Sequence, residues 1–490
     1  MSGPAGIPLG LSYDDVLLVP QRSAIASRRE IDTSARFTRR IRLATPIVSA
    51  NMDTVTEAAM AIAMARLGGI GVVHRFLPID HQVDEVRRVK RAEALMIEDP
   101  FTIGPDEPLS DALAVMAARG VSGLVVVDAD NRPVGILTRR DTRLREDHSV
   151  PVRELMTPRE RLVTAPVGTS SEQAALLLRD ARVEKLPLVD GDDRLAGLIT
   201  LKDLLQRAER PDATKDGRGR LAVAAAIGVR GDHLERARAL VEAGADALVL
   251  DVAHGHMEDA LRAIGEVREW VGGGVEIVAG NVATPEGARD LASAGADAVK
   301  VGVGPGSACT TRVVAGVGIP QLTAVIECAK VCAAHDVPVI ADGGIRSGGD
   351  VAKAIGAGAD TVMVGNLLAG TTESPGTVVN RNGTRVKVFR GMASAGAARA
   401  RRAIGGTPIE IRSQEDQTEF FPVVPEGVEA VVPLKGDAAA VVQELVGGLR
   451  SGMSYSNAAT IREMQESARF VRITSAGLRE SHPHDVHLGP

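Results

Sequence analysis

The run G-P-G-S-A-C-T-T-R, Gly304–Arg312, holds one of only three cysteines in the chain. Cys309 sits there among small residues beside a glycine-rich turn. A cysteine so placed ionises more readily when helix-end dipoles and a cation such as Arg312 face it. Its thiolate is a nucleophile suited to an electron-poor ring carbon. A small buried cysteine is the competing reading of this motif by itself. Two more clusters fit the same kind of site: D-G-G at 342–344 and Gly365 with Asn366. Together with Ser307 and its flanking glycines, they can turn several backbone N–H groups onto one phosphate, because amide dipoles that converge bind an anion without a charged side chain. Cys328 and Cys332 are four residues apart on one helical stretch, with no further ligand at metal spacing, and read as core residues.

Residues this far apart in sequence need a scaffold that gathers them. Short apolar runs at Pro46–Ala50, Gly69–Val73, Leu221–Ile227, Ala247–Asp251, Glu276–Ala279, Ala298–Val301, Val337–Ala341 and Thr361–Val364 alternate with helical patterns. Helices are expected at His233–Ala243, Pro285–Ala294 and Gly349–Ala357, each ending near a glycine stop. Eight strand-then-helix units predict an α/β fold, a closed parallel (β/α)8 barrel, with an open doubly wound sheet as the alternative. In such a barrel, ligands sit at the C-terminal ends of the strands. Those ends read A-N-M-D (50–53), H-R (74–75), G-V-R (228–230), D-V-A-H-G-H (251–256), G-N (280–281), the cysteine loop, D-G-G-I-R (342–346) and G-N (365–366).

A repeat interrupts this pattern between residues 97 and 211. A shift of 62 residues carries Thr102 onto Thr164, Asp128 onto Asp190, and G-I-L-T-R-R-D (135–141) onto G-L-I-T-L-K-D (197–203). Each copy reads strand-helix-strand-strand-helix. The repeat resembles a tandem pair of CBS (cystathionine-β-synthase-type) modules, which implies adenine or guanine nucleotides, ATP and GTP, at Thr138, Asp141, Thr200 and Asp203. The expected organisation is a barrel in two parts, 1–96 and 212–490, with this regulatory pair inserted between them.

The totals limit the partners. The chain has 490 residues, a net charge of -6 and only 2% aromatic residues. Mild acidity and few stacking rings argue against nucleic acid or a membrane surface as the main partner. No signal peptide is evident near Met1 and no long apolar run could span a bilayer, so a cytoplasmic protein is expected.

Longer motifs carry a resemblance. G-V-G-P-G-S-A-C-T-T-R, G-V-G-I-P-Q-L-T-A-V (316–325), A-G-N-V-A-T (279–284), A-D-G-G-I-R (341–346), F-R-G-M-A-S (389–394), A-G-L-R-E-S-H-P-H-D (476–485) and the opening L-S-Y-D-D-V-L-L-V-P (11–20) are similar to the IMP dehydrogenase/GMP reductase family. That resemblance implies a (β/α)8 homotetramer, or an octamer through the CBS pair, binding a purine 5′-monophosphate such as GMP or IMP. Cys309 would attack purine C2, with Thr311 and Glu426 as catalytic partners. Ala50, Met52, Ser307, Asp342, Gly343, Gly344, Gly365, Asn366, Phe389, Gly391, Met392 and Ala393 would hold the nucleotide. Asp251, Val252, Ala253, Asn281, Gly302 and Gly304 would face a nicotinamide dinucleotide, NADPH by resemblance. Carbonyls of Gly304, Gly306 and Cys309, with Glu480, Ser481 and His482 supplied by a neighbouring subunit, resemble a potassium site.

The family runs two reactions. Its dehydrogenases hydrolyse a cysteine adduct of IMP, using an adjacent Arg-Tyr pair in a flap. Its reductases expel ammonia from GMP and need a proton donor instead, a threonine two residues after the cysteine and a distant glutamate. The flap here is expected at about 393–430. The chain's two tyrosines, Tyr13 and Tyr455, both lie outside it. Thr311 and Glu426 are in place, but both residues also occur in many of the dehydrogenases, so the missing Arg-Tyr pair is what discriminates. An NADPH-dependent GMP reductase is therefore expected. The CBS insert, the V-P-E-G-V-E flap exit and the E-S-H tail point toward a dehydrogenase with an atypical base, and a catalytically silent nucleotide sensor is the third reading. Asn366 stands where the dehydrogenases carry serine.

Overall fold

A computed structural model describes residues 6–92, 96–143, 145–397, 399 and 424–483, with the side chains of 206–208 excepted. Most of the expected flap lies outside these residues. The chain divides into two compact units. One comprises Met1–Lys90, Asp212–Asp216 and Leu221–Pro490; the other comprises Arg91–Pro211 and Gly217–Arg220.

The first unit is a closed barrel of eight parallel strands: β1 (Ile47–Ser49), β2 (Ile70–Val73), β3 (Ala224–Ile227), β4 (Ala247–Asp251), β5 (Glu276–Val282), β6 (Ala298–Val301), β7 (Val339–Asp342) and β8 (Thr361–Val364). β8 pairs with β1, which closes the ring. This is the expected (β/α)8 architecture. The flanking helices are α1 (Ala58–Arg66), α2 (Ile79–Ala92), α3 (His233–Glu242), α4 (Glu258–Val271), α5 (Pro285–Ser293), α6 (Gln321–Ala334), α7 (Gly348–Gly356) and α8 (Ala438–Tyr455). β5 runs three residues beyond its expected end. Gly280 permits this, because a Cβ there would lie 2.5 Å from the Lys300 carbonyl on β6.

Small residues fill the barrel interior, among them Ala224, Ala226, Ala247 and Ala298 with Val249, Val278, Ile340 and Met363. The hairpin Ala35–Arg36/Arg42–Leu43 places Phe37 and Leu43 in this cluster and plugs the end where the strands begin. Its arginines meet carboxylates at the strand starts: Arg40 with Glu276, Arg39 with Asp297, Arg36 with Asp336 and Asp360.

One loop design recurs three times. A-G-A-D follows α3, α5 and α7 alike. Gly244, Gly295 and Gly358 take φ of 99°, 110° and 106°, a region open to glycine. The aspartate then accepts the N–H of the neighbouring strand: Asp246 from Val223, Asp297 from Ile277, Asp360 from Val339, at 2.8 to 2.9 Å. Lys90 lies 2.6 Å from Asp246, and Arg268 bonds Asp297. For Asp360 the facing cation is Arg36, at 3.8 Å. α7 and α8 touch through Gly348 and Gly448, where a Cβ on either would sit 2.6 Å from the other's Cα.

After β8, a three-stranded antiparallel sheet of β9 (Val378–Arg381), β10 (Thr384–Arg390) and β11 (Glu429–Pro433) leads to and from the flap. The Asn382–Gly383 turn, both residues at positive φ, sets the hairpin register. Near the N-terminus, Val16–Leu18 pairs with Phe470–Arg472 and ties the two ends of the chain together.

The second unit holds two copies of the expected strand-helix-strand-strand-helix order. The first copy runs Thr102–Ile103, Leu109–Arg119, Gly123–Val127, Pro133–Thr138 and Arg139–Thr142. The second runs Ala165–Pro166, Ser171–Ala181, Lys185–Val189, Leu195–Thr200 and Leu201–Glu209. Each copy has its own apolar core. They join where Leu195 N donates to Asn131 O and Lys185 Nζ to Ser122 Oγ. Cys328 and Cys332 are fully buried on α6, and burial pushes both thiols up to about 12. Among the described residues no helix is long and apolar enough to cross a membrane.

Burial raises the Asp360 carboxyl to about 6; the Val339 N–H, Arg36 and Gln465 offset it only in part. The folded chain thus holds this proton more tightly than the unfolded chain does. The resulting stabilisation is fully present below the ordinary carboxylate range and is lost as pH rises through about 6. Asp360→Asn keeps an acceptor for Val339 and removes the charge. The variant should exceed the parent in stability by on the order of 2 kcal/mol at pH near 8 and match it near pH 3, below the ordinary carboxylate range. Denaturant melts at the two pH values check this; an equal loss at both would contradict it.

Candidate active site

At the C-terminal ends of the barrel strands, the first unit holds a cavity of about 710 Å3. That lies within the usual range for small-molecule sites. The cysteine loop follows β6 and rises along one wall. Cys309 is half-buried and lies two residues before the short helix Thr311–Val314. Its Sγ lies 3.2 Å from Thr311 Oγ1, and the Thr311 hydroxyl donates to Glu426 Oε2 at 2.7 Å. Sulfur, hydroxyl and carboxylate therefore form a continuous chain, although the glutamate comes from 115 residues away.

Backbone bonds hold that arrangement. Thr310 N donates to Glu426 O at 2.9 Å, Val428 N to Ala308 O at 3.0 Å, and Glu426 N to Ala393 O at 3.2 Å. Gly391 N donates to Val428 O at 3.0 Å. Three segments, 308–310, 391–394 and 426–428, are clasped together around the sulfur. The F-R-G-M-A-S stretch is fixed from the other side as well. Arg390 Nε donates to Asp53 Oδ2 at 2.8 Å, and Asp53 N lies 3.4 Å from Met392 Sδ. This pair ties the loop after β1 to the end of β10.

The expected nucleotide residues come together. Ala50, Met52, Ser307, Asp342, Gly343, Gly344, Gly365, Asn366, Phe389, Gly391, Met392 and Ala393 all line the cavity, with Cys309, Thr311 and Glu426. So do Asp251, Val252, Ala253, Asn281, Gly302, Gly304 and Gly306. Gly343 and Gly344 take φ of 98° and 81°, and a Cβ at Gly343 would meet Pro305 at 2.8 Å. The cysteine loop and the D-G-G turn can thus lie against each other only because position 343 is bare.

Arg312 does not address the sulfur. Its guanidinium donates to Ile319 O at 2.6 Å, and its stem lies over Gly304 and Gly318. Glu480, Ser481 and His482 are exposed at the end of the helix Ser475–Glu480, outside the cavity lining. Among the described residues no cluster of His, Cys, Asp and Glu side chains could hold a metal ion. The Gly306 carbonyl already accepts the Cys309 N–H at 3.0 Å, which leaves it one further lone pair for a cation. In the second unit, Asp141 accepts from both Thr138 N and Thr138 Oγ1, at 2.8 and 2.7 Å. Thr200 donates to Asp203 in the same manner. Both T-x-x-D motifs therefore cap helices, and each leaves one carboxylate oxygen for another donor.

The residue that sequence reasoning missed is Lys300. It lies on β6, its side chain 2% exposed, beneath the cavity floor. Nζ donates to Asp251 Oδ1 at 3.2 Å, to Asp342 Oδ2 at 2.8 Å and to Asn281 Oδ1. Asn281 Nδ2 in turn donates to Asp342 Oδ2 at 2.9 Å and to Gly302 O at 2.8 Å. Burial would lower the Lys300 ammonium, but Asp342 and then Asp251 hold it above the ordinary lysine value. Burial would raise the Asp251 carboxyl; Lys300, Arg75 and a hydrogen bond to Asn51 bring it below the usual range. A lysine in the apolar run A-V-K-V was the available signal, because a buried charge demands partners.

Comparison with known proteins matches this geometry to one family. The family described as IMP dehydrogenase / GMP reductase domain matches residues 10–484. Inosine-5′-monophosphate dehydrogenase of Aquifex aeolicus is 52% identical over 481 residues, 98% of this chain and 96% of that protein. The dehydrogenase of Mycobacterium tuberculosis is 52% identical over 98% of this chain and 90% of its own length. Among solved structures, a variant GMP reductase from Trypanosoma brucei in complex with guanosine 5′-monophosphate superposes with a TM-score of 0.92 at 46% identity, covering 99% of both chains. The same organism's GMP reductase in complex with guanosine 5′-triphosphate gives 0.80 at 42% identity, covering 96% of this chain and 99% of that one. With the cysteine loop, the glycine nests and the carboxylates gathered at the mouth of a (β/α)8 barrel, the chain belongs to the IMP dehydrogenase/GMP reductase family of oxidoreductases.

Proposed function

We propose that the chain is a GMP reductase, converting GMP to IMP and ammonia with NADPH. The observation that carries this reading is the proton inventory around Cys309. Thr311 and Glu426 are wired to the sulfur, and residues 393–430 contain no tyrosine to join an arginine in activating water. A dehydrogenase must hydrolyse its adduct, whereas a reductase must protonate a leaving amine. The likeness to GMP reductase structures over nearly the whole of both chains also removes the inserted unit as an objection.

The wiring suggests one relay for two tasks. The Cys309 thiol proton passes through the Thr311 hydroxyl to Glu426, which leaves a thiolate to attack purine C2. Glu426 returns that proton through Thr311 to the departing 2-amino group, which leaves as ammonia. NADPH supplies the hydride that C2 then requires, and release of the sulfur gives IMP. Asp342 accepts from the ribose hydroxyls. Ser307, Gly343, Gly344, Gly365 and Asn366 surround the phosphate with N–H groups, and Gly391, Met392 and Ala393 face the base. Asp251, Val252, Ala253, Asn281, Gly302 and Gly304 border the nicotinamide side. The buried, ionised Asp251 suits a ribose hydroxyl donor there.

The finer calls on assembly follow the family. A potassium ion would take carbonyls of Gly304, Gly306 and Cys309 in a homotetramer, or an octamer joined through the second unit. That unit is a CBS pair binding ATP and GTP near Thr138, Asp141, Thr200 and Asp203, with opposite effects, in a cytoplasmic enzyme. One observation favours the alternative of an IMP dehydrogenase with another base: curated relatives near 50% identity carry that name. A silent nucleotide sensor would have no need of an intact Cys309.

Absorbance of the reduced nicotinamide separates these readings. Loss of NADPH with GMP, and little NADH from IMP plus NAD+, is expected; vigorous NADH formation would overturn the reductase. Cys309→Ser should abolish turnover while GMP still binds. Thr311→Val should lower kcat by roughly 10^2- to 10^4-fold with little change in GMP affinity. Unimpaired turnover in Thr311→Val would remove the relay.

A further inference from the structure

We propose that Lys300 couples the two nucleotide subsites. The inference rests on the reading above, in which Asp342 serves the substrate ribose and Asp251 the cofactor ribose. An ammonium group has three N–H donors. All three are engaged, by Asp251, Asn281 and Asp342. Lys300 therefore has no donor left for a ligand and is a positioning residue. Its three partners sit on β4, β5 and β7, so one buried side chain from β6 ties an arc of four strand ends.

The coupling follows from where the remaining lone pairs point. Each carboxylate keeps acceptor capacity for hydroxyl donors. A hydroxyl bound at Asp342 fixes that carboxylate, and with it the ammonium and its bond to Asp251. Asn281 reinforces the link, since it accepts from Lys300 and donates to Asp342. The side chain is 2% exposed, so water cannot substitute for a missing partner at low cost. Asp251 is also faced by Arg75 and Asn51, so the cofactor side keeps partial order without Lys300. Binding at one subsite should accordingly prepare the other, and by linkage the effect must be reciprocal.

Calorimetric titration of GMP with and without saturating NADP+ tests this, because that pair holds no reductant and cannot turn over. In the parent protein, NADP+ should tighten GMP binding at least about 5-fold, and GMP should tighten NADP+ by the same factor. In Lys300→Met both affinities should fall and the ratio should approach one. Lys300→Arg should recover part of the ratio. If Lys300→Met lacks a cooperative melt, Asp251→Asn carries the test: it replaces an anionic partner of the ammonium with a neutral acceptor and should weaken the effect of NADP+ on GMP. Retention of the full ratio in Lys300→Met or Asp251→Asn overturns the proposal, as does a ratio of one in a parent protein that binds both nucleotides. A parent protein that binds neither refutes the reading of the site itself, and the coupling falls with it.

Discussion

A positive charge buried beneath the barrel mouth organises much of what surrounds it. An unpaired ammonium in this interior would cost several kcal/mol, so Lys300 can exist only where its donors are met. The sequence meets them from three separate strands, with Asp251, Asn281 and Asp342. In return, the Asp251 carboxylate, which burial would otherwise discharge, stays ionised beside a cation. β5 and β6 also lie so close together that only glycine fits at position 280. The residue that solves this burial problem thus links the strand ends that form the cavity.

The second constraint is the clasp around Cys309. A loop sulfur is ordinarily a poorly positioned nucleophile. Here the loop is bonded by main-chain groups from 391–394 and from 426–428, the segments that extend two paired strands of one antiparallel sheet at the same end. The Arg390–Asp53 pair anchors that sheet to the loop after β1. Glu426 consequently reaches Thr311 through rigid elements, although 115 residues intervene. Precision of this kind is what proton transfer between a thiol, a hydroxyl and a carboxylate requires.

Most of the fold was legible because its signals are local. Eight apolar runs alternated with helical patterns, and glycine stops marked helix ends that recur as G-A-D loops. The 62-residue repeat showed the interruption directly. The site was legible where glycine and small residues cluster at strand ends, since those positions need a bare backbone. Lys300 was not read, because one lysine in A-V-K-V differs little from a strand residue facing solvent until three distant acceptors are brought to it. Arg312 was read as a partner for the sulfur on proximity in sequence. In three dimensions its stem covers two glycines and its charge meets a carbonyl, so adjacency along the chain misjudged direction. The aspartates of the T-x-x-D motifs were read as ligand contacts, and the structure adds a capping role that the same spacing also produces.

Similarity alone separates the two reactions of this family poorly, and the reason is chemical. Both begin with the same thioether on the same purine carbon, so the barrel, the glycine nests, the cysteine loop and the carboxylates serve either one equally. Relatives named for one reaction and structures named for the other can therefore be alike over nearly the whole chain. What differs is a single proton. Hydrolysis requires a group that takes one from water at C2, and deamination requires a group that gives one to nitrogen at the same carbon. On the proposed reading, a thiol that surrenders its proton to Glu426 through Thr311 leaves that proton stored two hydrogen bonds from the sulfur. On the proposed reading the relay needs no second base, and residues 393–430 hold no tyrosine to supply one. The direction of proton flow, rather than the identity of the nucleophile, is the feature that selects the reaction.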